Sequence, residues 1–359
     1  FSWTQAGGGQ CLRRAASIQP GACGGGGGAA SFAAMSRNPV LVEVTRGDLV
    51  ESRHRGAVAV ADSSGRLVES WGEVGRKMVP RSAVKPLQAL ALVESGAASA
   101  FDLGDEELAL ACASHSGEPS HVAAVGKWLD RIGLGADDLV CGGHPPLGAA
   151  ADSAFSPLHD NCSGKHAAML TTARALGEPT VGYERIDHPV QTRIRAILSD
   201  LGGAPLGESD WAVDGCGVPS FALPVAALAR AMARFVRPDV LVPARADAAR
   251  CLAAAMAAAP GMVGGTGRFD TDVIAATRGR VIVKAGAEGV HAAGLGRRGL
   301  GVAVKIDDGA RRAAEAVMAA LLDRLGGFDR PRRKRLAGRL RPRIQTRLGA
   351  AVGEIRVML

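Results

Sequence analysis

Ser82 and Lys85 stand three residues apart in Arg81-Ser82-Ala83-Val84-Lys85-Pro86-Leu87-Gln88, where an apolar pattern (Leu87, Leu90, Leu92, Val93) predicts a helix. Side chains at i and i+3 of a helix share a face and can touch. A serine hydroxyl is a poor nucleophile until a base takes its proton. A neutral lysine amine in a dry pocket can be that base. The spacing therefore suits serine acyl transfer. Without that chemistry, Ser82 reads as a helix N-cap and Lys85 as a solvated lysine.

Four other stretches carry polar residues that packing does not explain. Ala113-Ser114-His115-Ser116-Gly117-Glu118 closes the apolar run Leu108 to Ala113 with small and polar groups. It reads equally as a ligand-facing helix end or as a cap around Gly117. Asp160-Asn161-Cys162-Ser163-Gly164-Lys165-His166 and Val213-Asp214-Gly215-Cys216-Gly217-Val218-Pro219 each set a thiol in a glycine-containing segment. Ile282-Val283-Lys284-Ala285-Gly286-Ala287-Glu288-Gly289 puts a lysine at the end of an apolar strand. Lysine is rarely buried without a partner; an edge-strand lysine that discourages aggregation is the alternative.

These stretches need a scaffold. Residues 1 to 34 hold Gly7-Gly8-Gly9 and the string Gly24 to Gly28 with no hydrophobic period, so they read as a linker-like segment, with Met35 as the expected start of the protein. From Asn38, strands are expected at Val40–Thr45, Gly56–Ala61 and Leu67–Trp71, joined by short turns as an antiparallel meander. A helical block follows: Glu106–Cys112, Pro119–Ile132, His166–Leu176, Pro189–Leu201, Leu223–Phe235 and Ala246–Ala259. Asp187 and Ser220 are the expected caps of the fourth and fifth of these. Strands return at Val281–Lys284, Gly289–Ala293 and Gly301–Ile306, before a last helix at Ala310–Leu325. The order predicts an α/β chain of the α+β type, with one antiparallel sheet built from both chain ends and helices inserted between. Residues 35–359 are expected to form one domain, with a helical subdomain over about 80–265.

Composition fits a globular α/β protein: 47% of residues are hydrophobic, 4% aromatic, and glycines number 48. No apolar run approaches bilayer-spanning length, so no membrane partner is expected. The net charge of +8 is local: nine Lys or Arg lie within 330–347 with no acidic residue, and without them the rest carries −1. That basic segment lacks interleaved aromatics and is broken by Pro331 and Pro342, so it reads as a solvated segment packed on the body rather than a nucleic-acid surface. Seven widely spread cysteines form no disulfide framework, which points to a reducing, cytoplasmic compartment and makes single thiols candidates for metal binding or chemistry.

Taken in order, Asn38-Pro39-Val40, the Arg81–Gln88 and Ala113–Glu118 stretches, His159 to His166, Asp214 to Pro219 and Lys284 to Gly289 resemble the rhizobial-type (class 3, asparaginase II) L-asparaginases from about Asn38 to Leu325. The resemblance implies a serine β-lactamase/glutaminase-like fold and two Ser–Lys units, Ser82 with Lys85 and Ser114 with Lys284. It also implies zinc held by Cys162, Lys165 and Cys216, Asp214 beside the site, and a homodimer. Arg81, His115 and Glu118 are candidates for gripping the substrate's α-carboxylate and α-amino groups.

The implied reaction is hydrolysis of the side-chain amide of L-asparagine to L-aspartate and ammonia. A serine deprotonated by its lysine forms an acyl-enzyme that water then cleaves. Ser82 is the favoured nucleophile because its helix-start placement matches the wider fold family that the resemblance implies. The rivals are an amidohydrolase of the same fold acting on glutamine or another amide, a non-catalytic zinc-binding protein, and a nucleic-acid binder using the 330–347 segment.

Overall fold

The computed structural model describes residues 38–143 and 155–359; the segment 1–34 and Met35 lie outside the described residues. Its frame is an eight-stranded antiparallel sheet. The strands are β1 (Val40–Arg46), β2 (Leu49–Asp62), β3 (Leu67–Trp71), β4 (Val281–Ala285), β5 (Val290–Leu295), β6 (Leu300–Ile306), β7 (Arg343–Gln345) and β8 (Ala351–Val357). They run in the order β7-β8-β1-β2-β6-β5-β4, with β3 also paired to β2. The long β2 is the spine. Its first half pairs with β1, its second half with β6, and Val58 to Ala61 pair with β3. Both chain ends thus build one sheet.

The helices used below are α1 (Lys85–Gln88), α2 (Asp105–Ala111), α3 (Pro119–Arg131), α4 (Ser163–Ala175), α5 (Pro189–Gly202), α6 (Val225–Val236), α7 (Pro243–Ala258), α8 (Phe269–Thr277) and α9 (Arg311–Arg324). Helix α6 packs on β2, β5 and β6, and α9 packs on β1, β5, β6 and β8. The contact with α6 is set by glycine. A Cβ on Gly301 would collide with the backbone of Ala229 and Ala233, and one on Gly294 with Val236. All six residues of β5 are buried, His291 among them, so the strand is covered on both faces rather than alternating between core and solvent.

Local signals were partly overruled. The side chain capping α5 is His188, whose Nδ1 accepts from the Val190 amide, and not Asp187. Ser220 sits in a short strand, Pro219–Phe221, paired with Trp211–Val213, so it caps nothing. That hairpin holds the Asp214–Cys216 turn between its arms. The basic segment forms two short helices, Arg330–Arg335 and Ala337–Leu340, then enters β7 at the sheet edge. Among the described residues, no helix is long and apolar enough to cross a membrane.

Candidate active site

The reading of Lys85 as a solvated lysine is excluded, because Lys85 is 1% exposed. Ser82 is not an N-cap either. It lies inside a 3-10 turn, Arg81–Val84, that precedes α1, and its half-buried hydroxyl makes no side-chain hydrogen bond among the described residues. That turn begins on Arg81 at φ 51°, the left-handed region that costs a non-glycine residue about 1–2 kcal/mol. The Arg81 Nε donates to Asp214 Oδ1 at 2.6 Å, which ties the turn to the Asp214–Cys216 segment. Across the turn, the end of β4 approaches closely: a Cβ on Gly286 would stand 2.7 Å from the Pro80 carbonyl oxygen and 3.2 Å from the Ala83 nitrogen. Glycine at 286 is what lets the strand meet the turn.

From α1, the Lys85 Nζ donates to the Ala113 carbonyl at 2.5 Å, the Asn161 carbonyl at 3.1 Å and the Ser114 Oγ at 3.1 Å. This differs from the pairing expected by resemblance: the hydroxyl bonded to Lys85 belongs to Ser114, and no hydrogen bond joins Lys85 to Ser82. Lys284 likewise bonds Asp270 Oδ2 at 3.4 Å and the Ala285 carbonyl at 2.8 Å, with no hydrogen bond to Ser114. Burial pushes the Lys284 ammonium down to about 8; Asp270 opposes that shift, while the charges of Lys85 and Arg268 assist it. The two lysines therefore share one electrostatic environment. Cys112, at the end of α2, feels both of them but stays a neutral thiol, its pKa pushed up by burial.

Ser114 follows α2 and is fixed by its amide donating to Val263 at 3.0 Å. His115 is 1% exposed. Its Nδ1 accepts from the Gly117 amide, which makes Nε2 the donor toward the Ser163 Oγ at 2.8 Å, and that hydroxyl donates on to the Leu158 carbonyl. The ring thus couples the Ser114 loop to the start of α4. Glu118 precedes α3 and accepts from the Thr266 amide at 2.7 Å, tying the other end of the loop to the segment before α8. Of the three groups that sequence offered for substrate contact, His115 and Glu118 are thus committed to the protein's own frame.

Cys162, Lys165 and Cys216 also converge. Lys165 Nζ donates to Cys216 Sγ at 2.9 Å, and Asp214 Oδ2 lies 3.9 Å from the same sulfur. A hydrogen bond from Cys216 holds the Cys162 thiol well below its ordinary range, against burial and with help from Lys165. Cys216 is correspondingly raised. Burial alone would lower Lys165, yet the sulfurs and Asp214 win and raise it. The set fits a thiophilic divalent cation: two sulfurs and one nitrogen, all buried, with a charge that could replace the lysine proton. Among the described residues no group of three His, Cys, Asp or Glu could hold a metal, and the third donor of this set is the Lys165 nitrogen.

All five stretches therefore meet in one place, through Lys85, the Arg81–Asp214 ion pair, Lys165 and Gly286. Sequence reasoning missed Asp270. It is 4% exposed on the first turn of α8 and accepts from Lys284, the Ala285 amide at 2.9 Å and His291 Nε2 at 3.0 Å. Neither Asp270 nor His291 has neighbours in sequence that signal chemistry; they are united by the packing of α8 on β4 and the pairing of β4 with β5.

The profile of the family described as L-asparaginase II matches residues 42–357. The chain belongs to that family, and it is an amidohydrolase. Among solved structures, it is similar to a β-lactamase (Mb2281c) from Mycobacterium bovis, with 16% identity over 75% of this chain and 94% of the other and a TM-score of 0.40. It is also similar to Mglu, with 18% identity over 81% of this chain and 73% of the other and a TM-score of 0.44. Neither superposition is close enough to bear on the reading of the site. No curated protein sequence matches the chain.

Proposed function

We propose that this amidohydrolase cleaves the side-chain amide of L-asparagine to L-aspartate and ammonia, with Ser114 as nucleophile and Lys85 as its base. The observation that carries the reading is the buried contact between Lys85 Nζ and Ser114 Oγ at 3.1 Å. Lys85 has two carbonyl partners besides that hydroxyl. A neutral amine has two N–H bonds for the carbonyls and a lone pair left to accept the serine proton, which is the state a general base needs. Serine then adds to the amide carbon. The proton held by Lys85 leaves with ammonia, and water cleaves the resulting ester. Lys284, with its lowered proton affinity, is suited to relay a proton at the same pocket. The free N–H groups of Arg81 suit the substrate α-carboxylate, and Asp214, already paired with that guanidinium, suits the α-ammonium.

Cys162, Lys165 and Cys216 would hold a zinc ion. Bound there, it would supply a fixed positive charge beside Asp214. The chain's own part is to bring those donors to the Asn161–Cys162 turn whose carbonyl also steadies Lys85.

The test is ammonia release from L-asparagine and L-glutamine, with Ser114→Ala and Ser82→Ala compared. Asparagine turnover abolished by Ser114→Ala is expected; turnover that survives it would overturn the assignment. A preference for glutamine would move the reading to that substrate.

A further inference from the structure

Asp270 accepts from three donors on two neighbouring strands while buried behind Lys284. A carboxylate so enclosed is costly unless every lone pair is used, and here the strand amide of Ala285 fixes one oxygen while His291 fixes the other. His291 is itself 1% exposed, and its ring stands edge-on to Phe269, with centroids 5.0 Å apart and planes at 66°. That contact leaves the imidazole little freedom. Lys284 is fully buried, and its nitrogen divides between Asp270 and the Ala285 carbonyl.

We propose that Asp270, steered by His291, is the positioning residue for Lys284, fixing where its amine stands and how tightly it holds a proton. The inference rests on the reading of Lys284 as part of the hydrolytic pocket. The long Lys284–Asp270 distance of 3.4 Å, beside a Lys284 bond of 2.8 Å to a carbonyl, describes a carboxylate held back by its other two donors. A closer pair would lock the ammonium form. The charged and titratable groups around Lys284 are Asp270 and Arg268 at the start of α8, His291 on β5, Lys85 on α1 and the neutral Cys112 after α2. Of these, Asp270 is the group whose charge raises the affinity of Lys284 for its proton; Lys85 and Arg268 lower it.

The signs follow. Asp270→Asn removes the stabilising charge and lets burial act unopposed, so Lys284 gives up its proton at lower pH. An opposite charge at this range is worth roughly 1–3 pH units. His291→Leu removes a competing donor from the carboxylate and frees it to pair more closely with Lys284, which shifts the titration upward. Opposite shifts are hard to obtain from structural damage alone.

Two readouts apply to the intact protein. One is the pH dependence of kcat/KM for asparagine. The other is independent of activity: the Cε chemical shift of Lys284 in 13C-lysine-labelled protein, assigned by its loss in Lys284→Met. The expected result is a wild-type midpoint near 8, lowered by about one unit or more in Asp270→Asn and raised in His291→Leu, with one limb of the rate profile moving in step. Lys284 midpoints unchanged in both variants, or displaced in the same direction, would overturn the proposal. If Asp270→Asn does not fold, the upward shift in His291→Leu decides it. Lys284 shifts of the expected signs without asparagine turnover would leave the positioning intact and count against the substrate alone.

Discussion

Replacing Lys85 with methionine separates the chemistry of the pocket from its architecture. Methionine keeps an unbranched chain in a position that is 1% exposed, so α1 and its packing are retained. What is lost is one nitrogen and its bonds to the Ala113 carbonyl, the Asn161 carbonyl and Ser114 Oγ. The buried Ala113 carbonyl left without a donor costs about 1–3 kcal/mol and the part-buried Asn161 carbonyl less, and the relief from burying a lysine offsets part of that. The expected stability change is therefore a few kcal/mol at most, read as a melting shift. The rate should suffer far more. Removing a general base costs about 10²–10⁴-fold, or about 2.7–5.4 kcal/mol of barrier at 1.36 kcal/mol per decade. Lys85→Arg keeps the N–H donors but is permanently charged and cannot accept a proton at ordinary pH, so it should be as slow as Lys85→Met. Ammonia release from asparagine, with thermal unfolding alongside, measures both. A folded Lys85→Met protein with more than about a tenth of wild-type kcat/KM would refute the reasoning, since that loss falls below the range of a general base.

Other expectations follow from the same contacts. Gly286→Ala should destabilise by about 1–3 kcal/mol, because the new methyl meets the Pro80 carbonyl and the Ala83 nitrogen, and should slow turnover by displacing the Ser82 turn; unchanged melting and rate would contradict it. Arg81→Gln should raise KM for asparagine about 10–100-fold with a smaller change in kcat, as loss of a charged hydrogen bond predicts; steady-state kinetics decide. Cys162→Ser and Cys216→Ser should each lower zinc content by elemental analysis; full occupancy in both would remove the ligand assignment.

The scaffold was legible where the period was strong. β4, β5, β6, α3, α5 and α9 lie within two residues of the expected ranges, because apolar runs bounded by Gly, Pro and Asp leave few alternatives. β8 was not expected: Ala351–Val357 is half-exposed although paired on both sides, and Gly353 and Glu354 interrupt it, so its pattern is weak. α8 was hidden behind Gly264, Gly265 and Gly267, and Asp270 with it. Of the site, the five stretches were visible as polar clusters, yet their pairing was not. Spacing joins Ser82 to Lys85 along one turn, whereas the three-dimensional contact runs from Lys85 to Ser114, across to the loop after α2. Sequence spacing records local reach; which hydroxyl a buried lysine meets is set by how α1, α2 and the Asn161 turn pack.

The central claim is that the acyl group is carried on Ser114. The direct measurement is to quench the enzyme during asparagine turnover, or after reaction with an electrophilic asparagine analogue, digest it, and find the modified peptide by mass spectrometry. The account predicts the added mass on the peptide containing Ala113-Ser114-His115 and its absence in Ser114→Ala; the mass on Ser82, with Ser114 unmodified, would contradict it.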